Sequence, residues 1–229
     1  METTDTRLGW RSTKSALRAL LGQSLVLFAA AWSFDYWQAW LYLGFTLCST
    51  VGTNLWLLRY DRELMRRRLA MEEVGESEPV QRRFVVLVVV LGVSMFAVCG
   101  LDHRFGWCTP ALGLQLLGFA LLGLALALVF VTFRANTFGS SIVTVETGQR
   151  VVSSGPYRLV RHPMYSGMLL GGLATPLCLG SGMGELLFVP LCAIFIVRLR
   201  AEEQFLRTAL EGYAAYLERT PKSLIPGIW

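Results

Sequence analysis

A chain of 229 residues that is 54% hydrophobic, with a mean hydropathy of +0.49, is too apolar for an ordinary soluble domain. Its net charge of +5 does not mark a nucleic-acid binder, because the arginines cluster between apolar runs, as they do in cytoplasmic loops of membrane proteins. The cysteines, Cys48, Cys99, Cys108, Cys178 and Cys192, lack metal-ligand spacing, so they read as free, buried, inert thiols and no metal partner is expected.

In chain order, residues 1–14 read as a polar arm carrying Arg7, Arg11 and Lys14. The apolar run that follows is too long for the core of a cleavable leader, and none is expected. Residues 16–34 form the first spanning candidate, since a spanning helix needs about 20 mostly apolar residues. Residues 35–38 read as a turn with interfacial aromatics, and residues 40–58 as the return span. Asn54 within it suggests an interhelical hydrogen bond. The hydrophilic segment 59–83 holds seven arginines and five glutamates around a surface helix near 61–71. Residues 84–101 and 110–133 are the third and fourth spans, joined by a polar connection over 102–107.

After a second polar segment, 134–161, come two further apolar helices, 164–179 and 185–199, turning at Gly180-Ser-Gly-Met-Gly184. Gly167 and Gly171 have the small-xxx-small spacing that lets helix backbones approach, so this pair reads as a tight hairpin. The predicted fold is all-α: a polytopic membrane protein of about five to six transmembrane helices with a cytoplasmic C-terminal segment. A natural division falls between the membrane helices of residues 1–133 and a functional region of residues 134–229. Lys and Arg concentrate in 1–14, 59–83, 134–161 and after 198, which predicts that both termini are cytoplasmic.

One stretch stands out, Ser153-Ser-Gly-Pro-Tyr-Arg-Leu-Val-Arg-His-Pro-Met-Tyr-Ser-Gly-Met-Leu-Leu-Gly171. Gly155-Pro156 marks a turn. His162-Pro163 marks a second break, because Pro disfavours helix in the residue before it yet suits the first position of the next helix. Tyr157, Arg158, Arg161, His162 and Tyr165 then cluster at a helix mouth. They read equally well as a polar ligand site or as a basic interfacial anchor. Downstream, Arg198 and Glu202 share a helix face, and Glu202-Glu203 is an acidic pair that is costly near a membrane without a partner.

Taken together, Gly155-Pro-Tyr-Arg-Leu-Val-Arg-His-Pro-Met-Tyr-Ser-Gly167, Arg198-x-Arg-x-Glu-Glu203 and Gly212-Tyr-x-x-Tyr-x-x-Arg-x-Pro221 resemble the isoprenylcysteine carboxyl methyltransferase family. That family is part of a wider group of membrane methyltransferases that includes the phospholipid N-methyltransferases. The resemblance covers residues 134–229. It implies S-adenosyl-L-methionine as methyl donor and a lipophilic acceptor, or membrane lipid, arriving from the bilayer. It implies cofactor contacts from Gln149, Arg150, Val151, Val152, Tyr157, His162, Pro163, Met164, Tyr165, Glu202 and Glu203. It assigns substrate binding to Arg198. Arg198 and His162 are the candidate catalytic residues, with His162 or Glu203 available as base should the acceptor be an amine. Gln149 departs from the histidine that eukaryotic members carry there. The acceptor stays open among a prenylcysteine carboxylate, a phospholipid amine and a small apolar metabolite. A membrane NADPH-dependent sterol or lipid reductase and a non-enzymatic binding protein are the rival readings.

Overall fold

The computed structural model describes residues 2–67, 79–136 and 151–229. The described chain is helical, with no β-strand among the described residues. Helix α1 runs Glu2–Ala31, α2 Trp37–Tyr60, α3 Pro79–Phe105 and α4 Leu112–Ala135. A 3-10 turn, Gly155–Arg158, precedes α5, Pro163–Cys178. A second one, Met183–Leu187, leads into α6, Phe188–Ala209, and α7 is Tyr213–Arg219.

Among the described residues, three helices are long and apolar enough to cross a membrane: Trp37–Tyr60, Arg82–Phe105 and Leu112–Ala135. They coincide with three of the five to six spans expected from hydropathy, those at 40–58, 84–101 and 110–133. The expected polar arm instead supplies the first turns of α1, which runs unbroken from Glu2. No proline interrupts the sequence before Pro79, so nothing stops that helix until Trp32, which takes a left-handed φ of 53°. At 16 residues, α5 is about 24 Å long, shorter than a hydrocarbon core of about 30 Å.

Two helix pairs approach at backbone distance, and glycine makes both possible. On α3, a Cβ at Gly100 would lie 2.6 Å from the Leu27 carbonyl oxygen of α1. On α4, a Cβ at Gly118 would lie 2.6 Å from the Cys178 nitrogen at the end of α5. Near the other end of the same contact, a Cβ at Gly167 would meet Val129 Cγ2 at 2.7 Å. The small-residue face of α5 thus packs on α4, not on α6 as the hairpin reading expected. Only Gly172 turns toward α6, where a Cβ would meet Leu191. The main apolar core draws on α1 to α6, from Leu27, Tyr42 and Met95 to Phe119, Cys178 and Phe195.

A buried polar knot ties the helix ends opposite the central stretch. The segment 102–107, expected as a short polar connection, is mostly the last turn of α3, and Asp102 is only 1% exposed. Its carboxylate accepts hydrogen bonds from Cys108 N (2.8 Å), Ser181 Oγ (2.7 Å) and Met183 N (3.1 Å). Nearby Tyr36, expected at the interface, is buried instead. Its hydroxyl donates to the Leu179 carbonyl at 2.6 Å, and its ring stacks on His103 at 3.8 Å. All five cysteines are free, and Cys99 and Cys178 are buried, whereas Cys48 and Cys108 are exposed.

Gly118→Ala should lower the thermal midpoint of the detergent-purified protein, by about 1–3 kcal/mol of overpacking against backbone that cannot yield. Gly113→Ala, where a Cβ meets nothing within 4 Å, serves as the control and should be neutral or slightly stabilising. Equal midpoints for the two variants would contradict the close α4–α5 contact.

Candidate active site

The central stretch folds as its two breaks dictate. Gly155 adopts φ 58°, and Gly155–Arg158 forms one 3-10 turn with Pro156 buried. His162 caps the entry to α5 with a non-helical backbone, φ −123° and ψ 62°, and Pro163 takes the first helical position. The His162 carbonyl accepts the Ser166 amide at 3.1 Å. The chain beyond α7 then returns to lie along this entry. Arg161 N donates to the Lys222 carbonyl (2.9 Å) and His162 N to the Ser223 carbonyl (3.0 Å), while Ser166 Oγ donates to the Leu224 carbonyl (2.6 Å). Thr220, Ser223 and Leu224 of this strap are buried.

Arg161 joins the strap to α6. Its Nε donates to Glu203 Oε1 at 2.6 Å, one terminal nitrogen donates to the Thr220 carbonyl at 3.0 Å, and the other donates to Ser223 Oγ. The same Glu203 oxygen lies 3.1 Å from His162 Nε2. Arg161 and Glu203 side chains are 11% and 12% exposed, so the pair is shielded from solvent. Glu203 lies beyond the apolar part of α6. Burial alone would raise its carboxyl, but hydrogen bonds from His162 and Arg161, with the Arg161 charge, pull it down to about 2.

One residue along, Glu202 Oε2 accepts a short hydrogen bond from the Tyr165 hydroxyl, 2.5 Å. That hydroxyl also meets the Arg198 guanidinium. The Tyr165 ring stacks parallel to His162 with centroids 5.6 Å apart, and its edge meets Phe195. Arg198 lies over the Phe84 ring of α3, 5.1 Å from its centroid. His162, Tyr165, Arg198, Glu202 and Glu203 therefore converge where α5 begins and the apolar part of α6 ends.

Other expected positions sit in a neighbouring layer. Tyr157 is half-buried. Its hydroxyl accepts from Asn136 Nδ2 at 3.1 Å, and its carbonyl accepts from the Tyr216 hydroxyl at 2.8 Å. Val151 packs with Tyr157 against Leu210, Tyr213 and Tyr216, and Val152 beside it is half-buried. Pro163 is buried at the start of α5. The Met164 side chain packs instead with Leu57, Leu64, Met65 and Phe133. Gln149 and Arg150 lie outside the described residues. Among the described residues no cluster of His, Cys, Asp and Glu is arranged to hold a metal.

This convergence lies inside a recognisable segment. Residues 114–211 match the phospholipid methyltransferase family. The wider membrane methyltransferase group, to which the motifs pointed, is thus the group this segment matches. The cobalt-zinc-cadmium resistance protein CzcN of Cupriavidus metallidurans is 30% identical over 138 residues, 60% of this chain. The matched stretch spans 59% of that relative's length.

Arg161 and Ser223 are the residues that pattern reading undervalued. An arginine in a basic run looks like an interfacial anchor, and only the returning strap reveals it as the centre of a network. The Arg-His-Pro order carried the usable signal, since it fixes Arg161 one residue before a helix entry.

The depressed Glu203 carboxyl has a defined sign. Its stabilising contribution is complete above the ordinary carboxylate range and is lost as pH falls from about 5 toward 2. Glu203→Gln should lower the thermal midpoint at neutral pH, by about 1.5–3 kcal/mol for a hydrogen bond to a charged group. The gap between wild type and variant should close on acidification. A gap of constant size from pH 7 to pH 3, measured by tryptophan fluorescence, would contradict the pairing.

Proposed function

We propose that the protein is an integral membrane methyltransferase that uses S-adenosylmethionine and acts on a lipophilic acceptor reaching the site from the bilayer. The observation carrying this reading is the convergence of His162, Tyr165, Arg198 and Glu202 within the segment that matches the phospholipid methyltransferase family. Residues 134–229 supply the site and residues 1–133 the membrane scaffold. Both termini face the cytoplasm in this reading, as the arginine distribution favours. A reporter fused after Trp229 that is active only on the outer face would overturn that orientation.

The donor set suits such a cofactor, which when bound supplies an electrophilic methyl group on a sulfonium. Glu202 is half-buried and offers a carboxylate for hydroxyl or ammonium donors, with charge assistance. Tyr157 and Tyr165 offer aromatic faces for an adenine or a cation. By resemblance Gln149, Arg150, Val151, Val152, Pro163 and Met164 complete the cofactor surface. Glu203 contributes through its hold on Arg161 and His162, which fixes the His162 ring beside Tyr165. Displacement at a methyl carbon needs alignment and a dry site, and both follow from side chains held by packing and the strap.

Arg198 bears on the acceptor. A guanidinium near the membrane favours a carboxylate, which it can hold bidentately, and this supports a prenylcysteine-like acceptor. The family match supports a phospholipid amine equally well. An amine must shed a proton, and His162, paired with the Glu203 carboxylate, is the group to take it.

Glu202→Gln should weaken S-adenosylmethionine binding by about 1.5–3 kcal/mol in calorimetry, with the fold retained. Unchanged affinity, or binding of NADPH in its place, would refute the cofactor assignment. Arg198→Lys keeps the charge but loses the planar fork. It should abolish most methyl transfer to a prenylcysteine carboxylate while leaving cofactor affinity nearly intact. If the acceptor is an amine, the same variant should transfer methyl to a phospholipid amine about as fast as wild type.

A further inference from the structure

A groove of about 810 Å³ lies between α2 and α4, and none of its lining residues belongs to the candidate active site. Trp40, Phe45, Trp56 and Phe130 supply aromatic walls, and Gly44, Gly52 and Gly123 keep the floor open. A Cβ at Gly44 or Gly52 would meet nothing within 4 Å, so these glycines leave space rather than seat another helix of this chain. Both flanking helices are of spanning length and composition, which places the groove against lipid hydrocarbon. From Trp40 to Trp56 it follows α2 for about 24 Å, longer than one leaflet of a roughly 30 Å core. Its volume falls in the range of about 300–1,000 Å³ usual for ligand sites.

Charge is confined to one end. There the Arg134 guanidinium lies over the Trp56 ring, 5.8 Å from its centroid, and the Arg59 guanidinium over Tyr60 at 5.7 Å. The Trp56 and Tyr60 rings are themselves 5.6 Å apart, and Trp56 meets Phe130 edge-on at 5.5 Å. Each ring of this aromatic pair thus carries an exposed guanidinium, at the Trp56 end of the apolar groove. Aromatic rings and arginines at the end of a membrane helix sit at head-group depth. Two guanidiniums there match a phosphate, which each can bind with paired N–H donors.

We propose that this groove holds one anionic membrane phospholipid, its acyl chains between α2 and α4 and its phosphate between Arg59 and Arg134. Basic pockets between membrane helices recognise acidic head groups in this way. The site does not depend on methyl transfer, and a catalytically inactive protein would still bind.

The test is native mass spectrometry of the full chain in mild detergent, with phosphatidylglycerol and phosphatidylcholine of identical acyl chains. Wild type should retain one phosphatidylglycerol with a preference of roughly tenfold or more over phosphatidylcholine. Arg59→Gln combined with Arg134→Gln should erase the preference at an unchanged thermal midpoint. Gly52→Phe, whose ring enters the groove, should reduce retention of both lipids. Equal retention of the two lipids by wild type would overturn the proposal. So would an unaltered preference in the arginine variant or undiminished binding by Gly52→Phe. A lipid-free dimer that Gly52→Phe dissociates would also overturn it, making the groove a subunit interface.

Discussion

The contact of Arg161 with Glu203 holds the functional end of the molecule together. One guanidinium joins three parts of the chain: the entry to α5, the end of α6 and the strap beyond α7. A shielded ion pair gives little net stability, because desolvation offsets most of the Coulomb attraction. Its value here is positional. One Arg161 donor holds α6 through Glu203 and two hold the strap through Thr220 and Ser223, and Glu203 in turn holds His162. Removing either partner would leave a shielded charge and release three segments together, so the cost would exceed that of an ordinary surface pair.

The opposite end of the bundle is held by a different chemistry. Asp102 is bound by two backbone amides and a serine hydroxyl, with no guanidinium. Between the two polar ends the chain depends on backbone approach at Gly100, Gly118 and Gly167. Lipid offers no hydrophobic drive for one helix to prefer another, so close packing and a few hydrogen bonds must choose the partners. The pairing of α4 with α5 places the start of α5, and hence His162 and Tyr165, at a fixed height against α6.

What could be read from the sequence follows from how local each signal is. The turn at Gly155, the helix start at Pro163 and the convergence on Glu202 and Glu203 were legible, since each rests on residues a few positions apart or on a recurring motif. The burial of Asp102 was not, because its partners Ser181 and Met183 lie about eighty positions away and the segment reads as an ordinary polar connection. Gly167 showed that a helix would pack closely but not which one, since spacing names a face and not its neighbour. The continuous α1 was missed for the opposite reason: polar composition suggested an arm, while nothing in the sequence breaks the helix.

The brevity of α5 has a consequence for the setting in which the protein works. Its 16 residues are fastened at both ends, to the strap and Arg161 network at one and to Tyr36 and the Asp102 knot at the other. A helix shorter than the hydrocarbon core gains no reach by tilting, and one fastened at both ends cannot slide toward either face. Wherever lipid meets α5, the bilayer would have to thin to match it, at a fraction of a kcal/mol for each ångström of mismatch. Lipid thickness would then act on the helix entry at His162 directly, and the same chain would sit under different strain in thin and thick membranes.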